Sequence, residues 1–341
     1  MQRTERAAPA RMHKKRNSGH GQSAYACHPS SAGRTVMTVA AERIDAIVHE
    51  RARRQSFHQS EQFRGLALIS PTFLYAFILL LLPIVVVIAH SFWTQNYLTI
   101  DRTLTLANYR TALTDPMYLD HLMRSLGISL AVSIATVVLA YPIAYYISFH
   151  GGRHKNLWLF VIMVPFWTSY LLRVMAWKVI LGYQGVLNTG LIGLGLISEP
   201  SSALLYNTPA VVIALTHAWA AFAILPIFVS LEKVDRSLLE AARDLGDGPV
   251  RAFVRVTLPL SMPGVISALL IVMIPTVGDY ITPRLVGGTE GVMIANAIQT
   301  QFGRAANWPL GAALSVTTMV AVTAVAGLAV LALRALARAM R

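Results

Sequence analysis

The chain has one cysteine, Cys27, in 341 residues. That excludes an internal disulfide and a thiolate cluster for metal. Charge is scarce as well: Asp, Glu, Lys and Arg make up 13% of the residues, and 16 acidic side chains face 29 basic ones. There is no GxxxxGK[ST] phosphate loop, so ATP chemistry would have to come from another chain. No His-Glu-x-x-His helix and no Gly-x-Ser-x-Gly turn is present, and the histidines are scattered without ligand spacing. An intramembrane enzyme would need such a nucleophile–base pair or metal set. No internal repeat is evident, which counts against an autonomous secondary transporter. No apolar core for a signal peptide precedes about Leu66.

What the chain does have is apolar sequence, 55% of its residues, gathered into long uncharged runs such as 65–89, 125–149 and 305–333. A bilayer core about 30 Å thick needs roughly 20 helical residues. The pattern predicts an all-α integral membrane protein with six spans, near 67–91, 126–149, 157–180, 208–231, 261–282 and 309–333. With the N-terminus placed in the cytoplasm, and leaving the long tail aside, ten Lys and Arg fall on the inner side against five outside. The positive-inside rule then puts both termini in the cytoplasm. The net charge of +13 follows from this bias, because basic residues sit at span ends rather than on one face that nucleic acid could read. Residues 1–64 are polar and basic and are expected to form a disordered cytoplasmic tail. Within it, 40–54 could lie as a short helix on the membrane surface, and Met37 is a candidate start.

The most polar internal segment is EAARDLGDGPVRAFVRVTLPL (240–260). Helix formers up to Leu245 give way to Gly246, Asp247, Gly248 and Pro249. Glycine ends helices and proline suits a first turn, so a helix, a tight turn and a second, amphipathic helix are expected. Asp247 is the candidate N-cap of the second helix. An ordinary loop with arginines on lipid phosphates is the plainer alternative.

The spacing Glu240-Ala241-Ala242, Gly246, Val256, Leu258-Pro259 resembles the EAA loop of type I ABC importer permease subunits, with Val256 where the family has Ile. The stretches PFWTSYLLRVMAWKVILG (165–182), LEKVDRSLLEAARDLG (231–246), IPTVGDYITPRLVGG (274–288) and NAIQTQFGRAANWPLGAAL (296–314) are similar to its spermidine/putrescine branch. The resemblance implies a permease domain over 65–335 with a core near 122–333, in the bacterial inner membrane. It implies that the loop at 232–260 docks on a separate ABC ATPase through those seven residues, the small side chains allowing close approach. It also implies a second six-span permease, a sister chain, an extracytoplasmic binding protein and surrounding membrane lipid. No cofactor is implied on this chain; ATP and Mg would belong to the ATPase. The cargo implied is a polyamine or a related small solute.

Candidate pathway residues are Asp279, Tyr280, Trp167 and Tyr170. A carboxylate near a span end should face protein or water. Asp279 is either a counter-charge for cationic cargo, with Tyr280 adding a cation–π face, or an outer-surface partner of Arg284. Trp167, Tyr170 and Trp177 fall on one face of the third span, for stacking on cargo or for packing, with packing favoured for Trp177. Arg173 and Lys178 are expected to snorkel to the outer surface. His217 reads as a packed, hydrogen-bonded histidine.

Overall fold

The structure is a computed structural model that describes residues 61–97 and 99–339. The expected tail, its surface helix and the alternative start at Met37 lie outside these residues. Contacts divide the chain into two units, 1–78 and 79–341. Everything that follows, apart from the first turns of the first helix, belongs to the second.

Twelve α-helices carry the described fold. The first, α1 (Glu61–Ser91), is apolar from Leu68 onward, and its large side chains there are mostly exposed, as a lipid-facing helix requires. A two-stranded antiparallel hairpin follows, β1 (Thr94–Asn96) and β2 (Thr99–Asp101). It is a small departure from the all-α expectation, and Tyr97 takes φ +58° in its turn. Then come α2 (Ala107–Thr114) and α3 (Pro116–His150).

Helix α3 starts ten residues before the expected span. Asp115 accepts the Met117 amide at 2.9 Å and Pro116 occupies the first turn, an N-terminal signature that needs no apolar residue. The next span is not one straight helix. A 3₁₀ turn leads into α4 (Lys155–Met163), a second 3₁₀ turn (Val164–Trp167) holds Pro165, and Thr168 is extended before α5 (Tyr170–Leu181). Proline removes the amide that would carry the helix on. The two arms, Gly152–Trp167 and Tyr170–Gly193, meet at 86°; the second arm ends in α6 (Val186–Gly193).

Beyond it run α7 (Thr208–Glu232), α8 (Arg236–Asp244), the single-turn α9 (Pro249–Ala252), a π-helical turn (Phe253–Thr257), α10 (Leu258–Val277), a second π turn (Pro283–Gly287), α11 (Ile294–Phe302) and α12 (Trp308–Ala339). Among the described residues five helices are long and apolar enough to cross a membrane, or six if the bent pair counts as one span.

Helices α3, α7 and α10 form the centre. Ile128 and Val132 meet Val211, Leu215 and Ile227 of α7 and Ala268 and Val272 of α10, with Val174 and Leu181 of α5 beside them. A second cluster joins Leu122 of α3 and Met273 of α10 to Ile294 of α11 and Leu314 of α12. Buried hydroxyls on these helices return to their own backbone, as Ser133 does to the Ser129 carbonyl and Thr276 to the Val272 carbonyl, each at 2.6 Å. In apolar surroundings that is the least costly place for them. At Gly264 an added Cβ would lie 2.5 Å from the Pro226 carbonyl oxygen and 2.6 Å from the Ser230 Cβ. The absence of a side chain there lets α7 and α10 meet backbone to backbone.

Candidate functional site

The segment 235–260 is built as the sequence suggests, with two corrections. Asp235 caps α8 by accepting the Ser237 amide at 3.0 Å. That backbone hydrogen bond holds its carboxyl below the ordinary carboxylate range. At the other end the Gly246 amide bonds the Arg243 carbonyl at 2.9 Å and the Asp247 amide bonds the Ala242 carbonyl at 3.0 Å, a Schellman closure with Gly246 at φ +89°. Gly248, not Asp247, is the N-cap of α9; the Asp247 carboxylate instead meets Arg255 at 3.3 Å. The second helix is also not a separate piece. Pro249–Val277 runs unbroken through the π turn and Leu258-Pro259 into the membrane-spanning α10.

The predicted residues divide by exposure. Glu240, Ala241 and Gly246 are exposed, Val256 and Leu258 are half-buried, and Ala242 and Pro259 are buried. Ala242 faces inward with Leu239 and so offers no surface to a docked partner. Three residues that the spacing did not single out present apolar surface instead: Leu238, Leu245, which is 88% exposed, and Val250, 74% exposed. Their signal was available, since apolar residues in the most polar stretch of such a chain have no core to enter.

The segment is anchored from below. Phe253 packs edge-on against Tyr141 at 5.6 Å and Tyr145 at 5.9 Å, and the Tyr141 hydroxyl meets that of Ser261 at 2.8 Å. Arg236 lies over Phe149. Glu232 accepts from Lys155 at 2.6 Å and from Ser148 at 2.8 Å, tying the ends of α3 and α7 to the start of α4.

The pathway candidates lie at the opposite end of α10. Asp279 forms no ion pair with Arg284. One carboxylate oxygen accepts the amides of Ile281 (2.8 Å) and Thr282 (3.3 Å), and the other accepts the hydroxyl of Tyr170, which also meets Thr282 Oγ1 at 2.6 Å. Asp279 thus caps the turn after α10 and holds α5 to it. Tyr280 is 42% exposed, and its carbonyl accepts from Asn296 at 2.8 Å. Trp167 is 75% exposed and sits before the break that Tyr170 follows, so the two do not share a continuous helical face. Trp177 packs against the core and edge-on to His217 at 5.5 Å.

Arg173 does not snorkel. Its guanidinium lies 4.5 Å over the Phe166 ring and reaches the Ala218 carbonyl of α7 at 3.5 Å. Lys178 rests over Tyr206 at 5.9 Å.

Residues 136–341 match the model of the binding-protein-dependent transport system inner membrane component family. The chain belongs to that family. As such it is an inner-membrane permease subunit of an ABC importer, a transport component and not an enzyme. It is similar to the spermidine/putrescine transport system permease protein PotB of Escherichia coli (strain K12), 37% identical over 237 residues, which is 69% of this chain and 86% of that one. The corresponding protein of Haemophilus influenzae is 38% identical over 240 residues, 69% of this chain and 82% of that one. Among solved structures, a bacterial ABC transporter involved in import of the acidic polysaccharide alginate superimposes with a TM-score of 0.63 over 84% of this chain and 98% of that chain. At 16% identity the likeness is one of fold. The resemblance read from 240–259 is therefore borne out.

Proposed function

We propose that this subunit imports polyamines, coupled through α8 and the turn after it to a separate ATPase. The observation that carries the coupling is the exposed arc of Leu238, Ala241, Leu245 and Val250, with Glu240 beside it, on a segment whose inner side is fixed to α3 and α7. Apolar side chains held out of the bundle on a rigid mount suit a groove on a partner. Because Pro249–Val277 is one helix, displacement of the docked segment would be passed on as rigid-body motion. The relatives' naming for spermidine and putrescine supports the cargo.

Six spans with both termini cytoplasmic fit the arrangement. Lys155, Glu232 and α8 share one end of the bundle with the last turn of α12, which lies beside Pro259 and Met262. At the other end Arg124 meets the Glu290 carbonyl at 2.8 Å. A sister permease and an extracytoplasmic binding protein complete the importer. In the pathway, Tyr280 offers a cation–π face to cargo while Asp279, engaged by Tyr170 and two amides, positions it.

The test is uptake of labelled spermidine and putrescine by cells carrying this chain and its partners. Glu240→Lys and Gly246→Asp should abolish uptake while membrane insertion stays normal. Normal uptake in both would sink the coupling reading. Saturable uptake of another solute, unaffected by excess polyamine, would sink the cargo reading alone. Asp279→Asn keeps a capping side chain and removes the charge; an unchanged rate of dication transport would confine Asp279 to the turn.

A further inference from the structure

Between the start of α10 and the end of α12 lies a cavity of about 410 Å³, lined by Pro259, Met262, Pro263 and Ile266 on one side and Arg334 and Arg338 on the other. This volume is within the range of about 300–1,000 Å³ usual for small-ligand sites. Its floor is apolar apart from Ser267, whose hydroxyl donates to the Pro263 carbonyl. Its rim holds two guanidinium groups four residues apart, hence on one face of α12 and about 6 Å apart along the axis. Neither arginine has a carboxylate partner among the described residues. An acidic side chain would normally be expected within reach of two arginines so placed, and α10 has no Asp or Glu anywhere in Leu258–Val277.

We infer that this cavity binds the headgroup of an anionic phospholipid, its phosphodiester held by Arg334 and Arg338 and its acyl chains descending over Pro263 and Ile266. Charge complementarity selects the ligand: a basic rim over an apolar floor at the end of a membrane helix fits an amphiphile with a phosphate. Position gives the site its consequence. Pro259 and Met262 lie on the same unbroken helix, Pro249–Val277, that carries the segment proposed to couple to the ATPase. A lipid wedged between that helix and α12 would set the resting angle of the segment, and the site does not depend on which cargo is carried.

Native mass spectrometry of the purified importer assembly, with phosphatidylglycerol or phosphatidylcholine added back, tests this. Wild type should retain phosphatidylglycerol in preference. Each basic residue near an anionic lipid contributes about fivefold, so R334Q/R338Q should weaken retention roughly thirtyfold, and R334K/R338K should restore most of it. Phosphatidylcholine retention should be equal in all three. Equal phosphatidylglycerol retention by wild type and R334Q/R338Q would overturn the inference. So would displacement of the lipid by millimolar inorganic phosphate, which would mark a free-phosphate site, or efficient crosslinking of Ser267→Cys to another subunit, which would mark a protein interface. A misfolded double variant would reveal itself by losing phosphatidylcholine binding as well; the single variants R334Q and R338Q, each expected to lose about fivefold, then carry the test.

Discussion

Gly246 closes α8 with φ +89°, and an added Cβ there would meet nothing within 4 Å. The glycine is thus required by backbone conformation within this chain and not by crowding. A β-carbon in the left-handed region costs roughly 1–2 kcal/mol, and asparagine tolerates it best among non-glycine residues. Gly246→Asn should keep the fold of the turn, and Gly246→Val should fray α8, measurable as faster amide exchange over 236–247. Tyr170 gives a second case. Its hydroxyl donates to Asp279 and accepts from Thr282, so Tyr170→Phe leaves a carboxylate oxygen short of a donor and a hydroxyl short of an acceptor, at a cost of about 1–3 kcal/mol. The expected outcome is a lower melting temperature in detergent with unchanged insertion. The sequence marked Gly246 by its place in the spaced loop, Tyr170 by its spacing from Trp167 and Trp177, and Asp279 as a carboxylate near a span end. It did not show that Tyr170 and Asp279 bond each other, since 109 residues separate them.

At the level of elements, apolar run length located the helices, and punctuation located their ends less well. Asp115-Pro116 is a readable start for α3, but the expected span began where hydropathy rises, ten residues later. Pro165 sits inside an apolar stretch whose hydropathy continues past it, so the break at Thr168 and the inward aim of Arg173 were hidden. Hydropathy averages over a window and carries no direction. The α7–α10 crossing shows what close approach demands. Gly264→Val would drive methyl groups into the Pro226 carbonyl and Ser230, and overpacking of this kind costs about 1–3 kcal/mol. Thermal unfolding of the variant in detergent should show the loss. Pro226→Ala, which restores a helical amide in α7 but leaves that carbonyl in place, should not relieve it.

For the whole molecule, hydropathy and one spaced loop were enough to identify an ABC importer permease subunit, because long apolar runs and a fixed residue spacing are both readable along the chain. What stayed illegible depends on three-dimensional meeting, such as the inward Ala242 and the bond between Tyr170 and Asp279. The bent pair of helices over 152–193 has a consequence for how the protein is made. Its helices α4 and α5 have 9 and 12 residues, each by itself short of the roughly 20 that a bilayer requires. The second arm also carries Arg173, and such a residue at mid-membrane costs about 2.5–3.5 kcal/mol in insertion. The expectation is that neither helix partitions into lipid alone during synthesis, and that the region stays beside the translocation channel until α7 emerges to cover it. Chains truncated near residue 200 should leave 155–193 accessible to water-soluble thiol reagents at introduced cysteines, and chains extended past Glu232 should protect the same positions. Protection already complete in the shorter chain would mean that the bend forms only after a straight helix has inserted.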